Sequence, residues 1–436
     1  VERNRNPSRE VWESPSFYGG EDVNPNSLMM KRRSFLVSAS ALALGQLMSG
    51  CTREQPQSLN VQLLKGSIPA RMLNQFRKEL QPPAQLNFDP ANQLKDLFKR
   101  LQTWKQLAEK KDDGQGFSLP FVGKKTPALA DLVSLGDYWL ESAIGQGLIQ
   151  PLEVQELEGW NNLPSRWQEI VTRNQQGQLA KEGQVWGAPY RWGTTVIVYR
   201  RDKFEELGWT PKDWSDLWRP ELRDRISLLD QPREVIGLTL KKLGLSYNHK
   251  NLSQVPKLKE ELLKLHQQVK YYSSNQYLEP LLLGDTWLAL GWSTDVLSVR
   301  SGYRQIDSVV PLSGTALWTD VWVQPASLAA SSNTLKASAS STAQQGSNAS
   351  SPLTKQWIEF CWKSLPAQQI SVLSHAASPM FADAEPTNLP TDIRENRLLL
   401  PDITVLKKCE FLEPLPQKIS QEYEKLWTEI RNVRRI

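Results

Sequence analysis

The apolar positions of this chain recur in two rhythms that alternate along it. Asn60-Val61-Gln62-Leu63-Leu64 has the two-residue period of a strand. Met72, Leu73, Phe76 and Leu80, after Pro69, have the spacing of a helix. An apolar run over 128–135 ends at Gly136-Asp137, and Trp139, Leu140, Ala143, Ile144 and Leu148 follow at helical spacing. This predicts a strand, a glycine turn and a helix with Asp137 as its N-cap. Residues 185–199 end in a β-branched strand, 214–220 read as a turn-rich loop, and Ile226-Ser227-Leu228-Leu229 is a short strand. Val235, Leu238, Leu240 and Leu243 predict a helix after Pro232. Leu258, Leu262, Leu265 and Val269 form the stripe of a second, amphipathic one that begins at Pro256. Strands are expected over 287–292 and 319–323, and helices over 356–365 and 421–433. Strands alternate with helices and no repeat is visible, which is the signature of α/β domains with largely parallel sheets.

Two segments stand outside this rhythm. Residues 331–351 are dominated by Ser, Ala, Gln and Asn and read as a flexible surface insertion. Residues 1–28 are polar and aperiodic; Met29-Met30-Lys31-Arg32-Arg33-Ser34-Phe35-Leu36 then starts a basic stretch, an apolar run to Met48, and Ser49-Gly50-Cys51. A basic start, a short apolar core and small residues before a cleavage point describe an export signal over 29–50. The run is too short to span a bilayer comfortably, which takes about 20 residues. Arg32-Arg33 resembles a twin-arginine signal, and the sequence around Cys51 resembles a bacterial lipobox in which the Cys is lipidated. On this reading 1–28 is a non-native upstream extension and 51–58 is a tether between lipid and domain.

Composition narrows the chemistry. The 436 residues include 17 Trp but only 3 His and 3 Cys, which removes most His/Cys metal centres and any disulfide scaffold. A net charge of +5 over this length is too weak to point to nucleic acid. No G-x-S-x-G elbow and no H-E-x-x-H occurs, and Gly123-Lys124-Lys125-Thr126 lacks the first glycine of a phosphate loop, where Ser118 stands. His266 is expected on or beside a solvated helix face, and Cys361 as a buried free thiol, with a bridge to Cys409 as the alternative. Nothing argues for an enzyme, and no cofactor or metal is expected. The tryptophans suit either cores or cation-binding boxes.

Three stretches carry a resemblance. They are 186–195 (Trp-Gly-Ala-Pro-Tyr-Arg-Trp-Gly-Thr-Thr), Trp214-Ser215-Asp216-Leu217-Trp218, and 228–236 followed by Lys242-Leu243-Gly244. Their order and spacing resemble the bacterial periplasmic spermidine/putrescine-binding proteins, within the extracellular solute-binding proteins of family 1. The resemblance implies a two-lobed type II periplasmic-binding fold that closes on a ligand in an interlobe cleft and delivers it to an ABC importer. It places lobe 1 at 59–192 plus 320–385 and lobe 2 at 193–319 plus 386–436.

The family's pocket is an aromatic box with acidic ends, and its motifs transfer to this chain residue by residue. Trp292 matches the Trp that ends a strand, Trp318 and Asp320 match a Trp-x-Asp, Tyr138 matches an aromatic after the first βα loop, and Glu234 matches an acidic-x-Arg-Glu motif. Three positions depart from the pattern in ways that would change specificity: Gln231 replaces an acidic residue, with Asp230 one place earlier, and Lys65 replaces a polar residue. Taken with the export signal and the lipobox-like Cys51, the resemblance implies a monomeric periplasmic lipoprotein, held at the membrane by its lipid, that binds a polyamine and meets an inner-membrane permease. The alternatives are another amine, an anion paired with Lys65, or an envelope structural module without transport.

Overall fold

The computed structural model describes residues 57–112, 129–326 and 351–434. The export signal with Arg32 and Arg33, the lipidation site Cys51 and nearly all of the 331–351 insertion lie outside the described residues.

The described strands are, in chain order, β1 (Ser58–Leu64), β2 (Gln85–Ala91), β3 (Leu132–Gly136), β4 (Ile149–Gln150), β5 (Thr172–Arg173), β6 (Gln184–Val185), β7 (Ala188–Arg200), β8 (Ile226–Leu228), β9 (Val269–Tyr272), β10 (Leu288–Trp292), β11 (Ile306–Val309), β12 (Ala316–Pro325) and β13 (Glu410–Phe411). The main sheet runs β2-β1-β3-β12-β7-β10-β8-β9. Its flanks are parallel, β1 with β2 and β3, and β8 with β9 and β10. Its centre is antiparallel, because β12 opposes both β3 and β7, and β10 and β11 oppose β7. The sheet is therefore mixed rather than largely parallel. Of the two long strands, β7 pairs in both halves, whereas β12 pairs with β3, β4, β13 and residues 188–194 of β7.

β7 is where the halves meet. Residues 188–194 pair with β12, and residues 195–199 pair with β10. Its sequence, APYRWGTTVIVYR, is buried along almost its whole length, as expected for a central strand covered on both faces. Beyond the change of partners its side chains alternate between two cores. Val196 and Val198 join the core that also holds Leu59, Leu132 and Trp322. Ile197 and Tyr199 join the one under helices Pro232–Lys242, Leu258–Gln268 and Gln417–Arg431.

Several elements depart from the expectations. β2 contains Pro90 and carries no clear period, yet it pairs with β1 at the edge of the sheet, where a missing N–H is tolerated. Helices Leu94–Asp112 and Ser364–Leu373 were not marked by the pattern. The loop at 214–220 is two 3-10 turns, Trp214–Trp218 and Pro220–Leu222. His266 is buried rather than solvated: its ring nitrogens lie 2.9 Å from the Tyr272 hydroxyl and 3.1 Å from the Val433 carbonyl. Cys361 and Cys409 are both buried and free. The sequence assigns 386–436 to the second lobe. In the structure Leu398, Val405, Cys409 and Phe411 pack in the first core, and Arg166 donates to the carbonyls of Leu406 and Cys409 at 3.2 and 2.6 Å. The chain joins the second core only from Leu412 and Leu415 onward.

Candidate functional site

Side chains on one face of a strand recur every second residue, and directly opposed residues of antiparallel neighbours share that face. On β7, positions 191, 193 and 195 therefore share a face. Their cross-strand partners are Asp320, Trp318 and Trp292, respectively. Three expected ligand residues from two different strands are thus brought to one surface, at the point where β7 changes partners. The carboxyl ends of β3, β8 and β10, with the turns and helix starts that follow them, supply Asp137 and Tyr138, Gln231 and Glu234, and Trp292, in keeping with the placement of ligand sites in open α/β sheets.

Asp320 is buried, and its carboxylate is already engaged. Arg191 donates to Oδ2 from Nε at 2.7 Å and from Nη2 at 2.6 Å. The same guanidinium lies 6.0 Å from the centroid of the Trp318 ring, within cation–π range. Burial pushes the Asp320 carboxyl above its usual range, and Arg191 acts in the opposite direction. A β-bulge falls immediately beyond this pair, between Asp320 and Val321. It leaves Tyr190 to stack on Trp322 at 4.3 Å and to share a 2.8 Å hydrogen bond with Ser134.

Gly193 is present because nothing larger fits. A Cβ there would sit 2.4 Å from the Trp318 ring and 2.6 Å from Ser293 Oγ. Ser293 also accepts the Thr194 N–H at 3.1 Å, so the crossing segment is clamped from both sides. Trp292 is half-buried and meets Tyr277 edge-on at 5.6 Å; its N–H donates to the Tyr277 hydroxyl, which in turn donates to Asp295. A cavity of about 380 Å³ opens beside Tyr277 and Asp295. A larger one of about 590 Å³ is lined by Arg300, Asp307 and residues within 391–405, and neither cavity is lined by an expected site residue.

Glu234 stands in the first turn of helix Pro232–Lys242 and is buried. Its Oε1 accepts from Thr195 Oγ1 at 3.1 Å, and its Oε2 is buried without a partner. Burial pushes the carboxyl up to about 7, against the smaller opposing effects of Thr195 and Arg233. Asp137, also buried, is pushed up to about 6 by burial. Its Oδ1 accepts the Thr319 N–H at 3.0 Å. It does not cap the following helix as its position predicts, because the turn Asp137–Trp139 is a 3-10 turn and its side chain reaches across to β12. Arg173 props this loop from beneath, donating to the carbonyls of Asp137, Ile170 and Gly177.

The remaining expected residues scatter. Tyr138 is 68% exposed at the rim, within electrostatic reach of Arg233 from the opposite half. Gln231 is half-buried at the N-cap position and makes no capping hydrogen bond. Asp230 is turned to the C-terminal helix, accepting from Trp427 Nε1 at 3.2 Å and pairing with Arg431 at 3.3 Å. Lys65 is exposed in the turn after β1. Arg191, Gly193, Thr195 and Asp137 were not among the expected ligand residues. Arg191 carried a readable signal: a charged residue inside an otherwise apolar strand, spaced to meet an acidic one, needs a buried partner.

Residues 128–408 match the family model for bacterial extracellular solute-binding proteins. A spermidine/putrescine-binding periplasmic protein of Escherichia coli is 27% identical over 299 residues, covering 68% of this chain and 76% of that protein. The putrescine-binding periplasmic protein PotF of the same organism is 26% identical over 321 residues, covering 69% and 78%. The fold is similar to that of the spermidine/putrescine ABC transporter substrate-binding protein PotD of Streptococcus pneumoniae, with a TM-score of 0.66 at 21% identity over 86% of this chain and 98% of that one.

Proposed function

The chain belongs to the bacterial extracellular solute-binding proteins, and on that premise we propose that it captures a small amine of the polyamine class and presents it to the permease of an ABC importer. It does this outside the cytoplasm, tethered by a lipid on Cys51. The observation that carries the ligand class is Glu234. A buried carboxylate with one unpaired oxygen is costly unless something cationic completes it. The indole faces of Trp292 and Trp318 lie on the adjoining strand face and suit methylenes and ammoniums, each cation–π contact being worth about 0.5–2 kcal/mol. The curated relatives are named for spermidine and putrescine, which supports the same class.

The action is binding and release rather than chemistry. β7 runs through both halves, so closure is a rotation about this strand, and a ligand that touches Glu234 on one side and Asp137 or Tyr138 on the other favours the closed state. Native mass spectrometry of the protein purified from its own host identifies a co-purified ligand; an amine is expected. Titration with putrescine and spermidine should change tryptophan fluorescence through Trp292 and Trp318. A response to anions alone would replace the amine reading by an anion one, and no response to any small solute would favour a structural role.

A further inference from the structure

We propose that Arg191 is the residue that sets ligand length: its guanidinium occupies the cation place between Asp320 and the Trp318 ring, so a ligand anchored on Glu234 finds no place for a further ammonium at Asp320, and the site prefers a short diamine to a triamine. This rests on the amine reading above and deepens it.

A carboxylate below and an aromatic face alongside are what a ligand ammonium requires. Here the protein's own cation fills that arrangement, with two hydrogen bonds to Asp320 Oδ2 and the Trp318 ring at 6.0 Å. The carboxylate left open is Glu234, bound by Thr195 Oγ1 and free at Oε2. Thr195 and Arg191 share a face of β7 and are four residues apart, about 14 Å at the rise of an extended strand. Extended putrescine spans about 6 Å between its nitrogens and spermidine about 11 Å, from ordinary bond lengths. A diamine anchored at Glu234 ends at the Trp318 ring, which covers Gly193. A triamine laid along the same face carries its far ammonium to the Arg191 guanidinium, where like charges repel and the charge of Asp320 is already balanced by Arg191.

The test is calorimetric titration of the full chain at pH 8 with putrescine and spermidine, for the wild type, R191M and the double variant R191M/D320N. The wild type is expected to bind putrescine at least tenfold more tightly. R191M, which frees Asp320, should move the ratio at least tenfold toward spermidine. The double variant, which removes bulk and repulsion without leaving a buried charge, should give part of that shift and keeps the test valid if R191M does not fold. A wild type that prefers spermidine, or a ratio unchanged in the double variant, overturns the role of Arg191 while leaving the amine reading intact. Folded protein that binds neither amine in any form overturns the amine reading, and this inference with it.

Discussion

Asp320 and Arg191 face each other directly across β12 and β7, and form a buried ion pair with contacts of 2.6 and 2.7 Å. The pair links β12 to β7, the strand that pairs in both halves, beside the place where β7 changes partners. The sequence motif marks Asp320 as a ligand carboxylate; the tertiary structure gives it an internal partner.

Removing one member of this pair is expected to act on stability first. Asp320→Ala leaves Arg191 buried and uncompensated, and such a break costs about 3–5 kcal/mol. Urea unfolding should show a midpoint lowered accordingly. A variant with wild-type stability would mean that the pair is not formed in solution.

Glu234→Gln should trade affinity for stability. The charged contact to an ammonium is lost, so amine affinity should fall by about 2–5 kcal/mol. The ligand-free protein should gain. A carboxyl raised from 4.5 to about 7 in the folded state makes the folded form bind more protons than the unfolded one between those values, so stability falls as pH rises through that window. By pH 8 this amounts to about 3 kcal/mol that glutamine does not lose. Thermal melts at pH 8 and pH 4.5 check it: the variant should be stabilised at pH 8 and nearly neutral at pH 4.5.

Amine binding should strengthen as pH rises. The ligand is cationic throughout, so the titrating groups are those of the site. Glu234 faces Thr195, Arg233 and Asp137, and the last is itself pushed up to about 6. Below pH 7 the ligand must displace a proton from Glu234, and affinity should fall by about tenfold per pH unit, more steeply once Asp137 also protonates. Calorimetry between pH 5 and pH 8 tests this, and flat affinity over that range would remove Glu234 as the anchor.

Gly193→Ala should displace the Trp318 ring, because the new methyl would lie 2.4 Å from it with Ser293 Oγ on the other side at 2.6 Å. Overpacking of this kind costs about 1–3 kcal/mol. A lowered melting point, a shifted tryptophan emission and weaker amine binding should appear together. Unchanged emission would show that Trp318 does not rest on this glycine.

Much of the fold was legible because periodicity reports burial locally. β1, β8, β10 and the amphipathic helix Leu258–Gln268 follow from residue spacing alone. β2 was not legible: an edge strand with Pro90 owes its place to pairing with β1, a contact 27 residues away in register. Strand direction at the centre was not legible either, since β7 and β12 meet across more than 120 residues of chain.

The sequence by itself determined the α/β class, the solute-binding resemblance and four residues that the fold places at or beside one surface: Trp292, Trp318, Asp320 and Glu234. It left open whether its tryptophans pack or bind; the structure buries Trp167, Trp192, Trp214, Trp322 and Trp357 fully. Only the tertiary structure decided which carboxylates are available. Charge pairing depends on which strands lie side by side, so Arg191 compensates Asp320, Arg431 takes Asp230, and Glu234 keeps an oxygen unpaired. A motif names a side chain, while its chemistry is set by neighbours that long-range pairing brings within 3 Å.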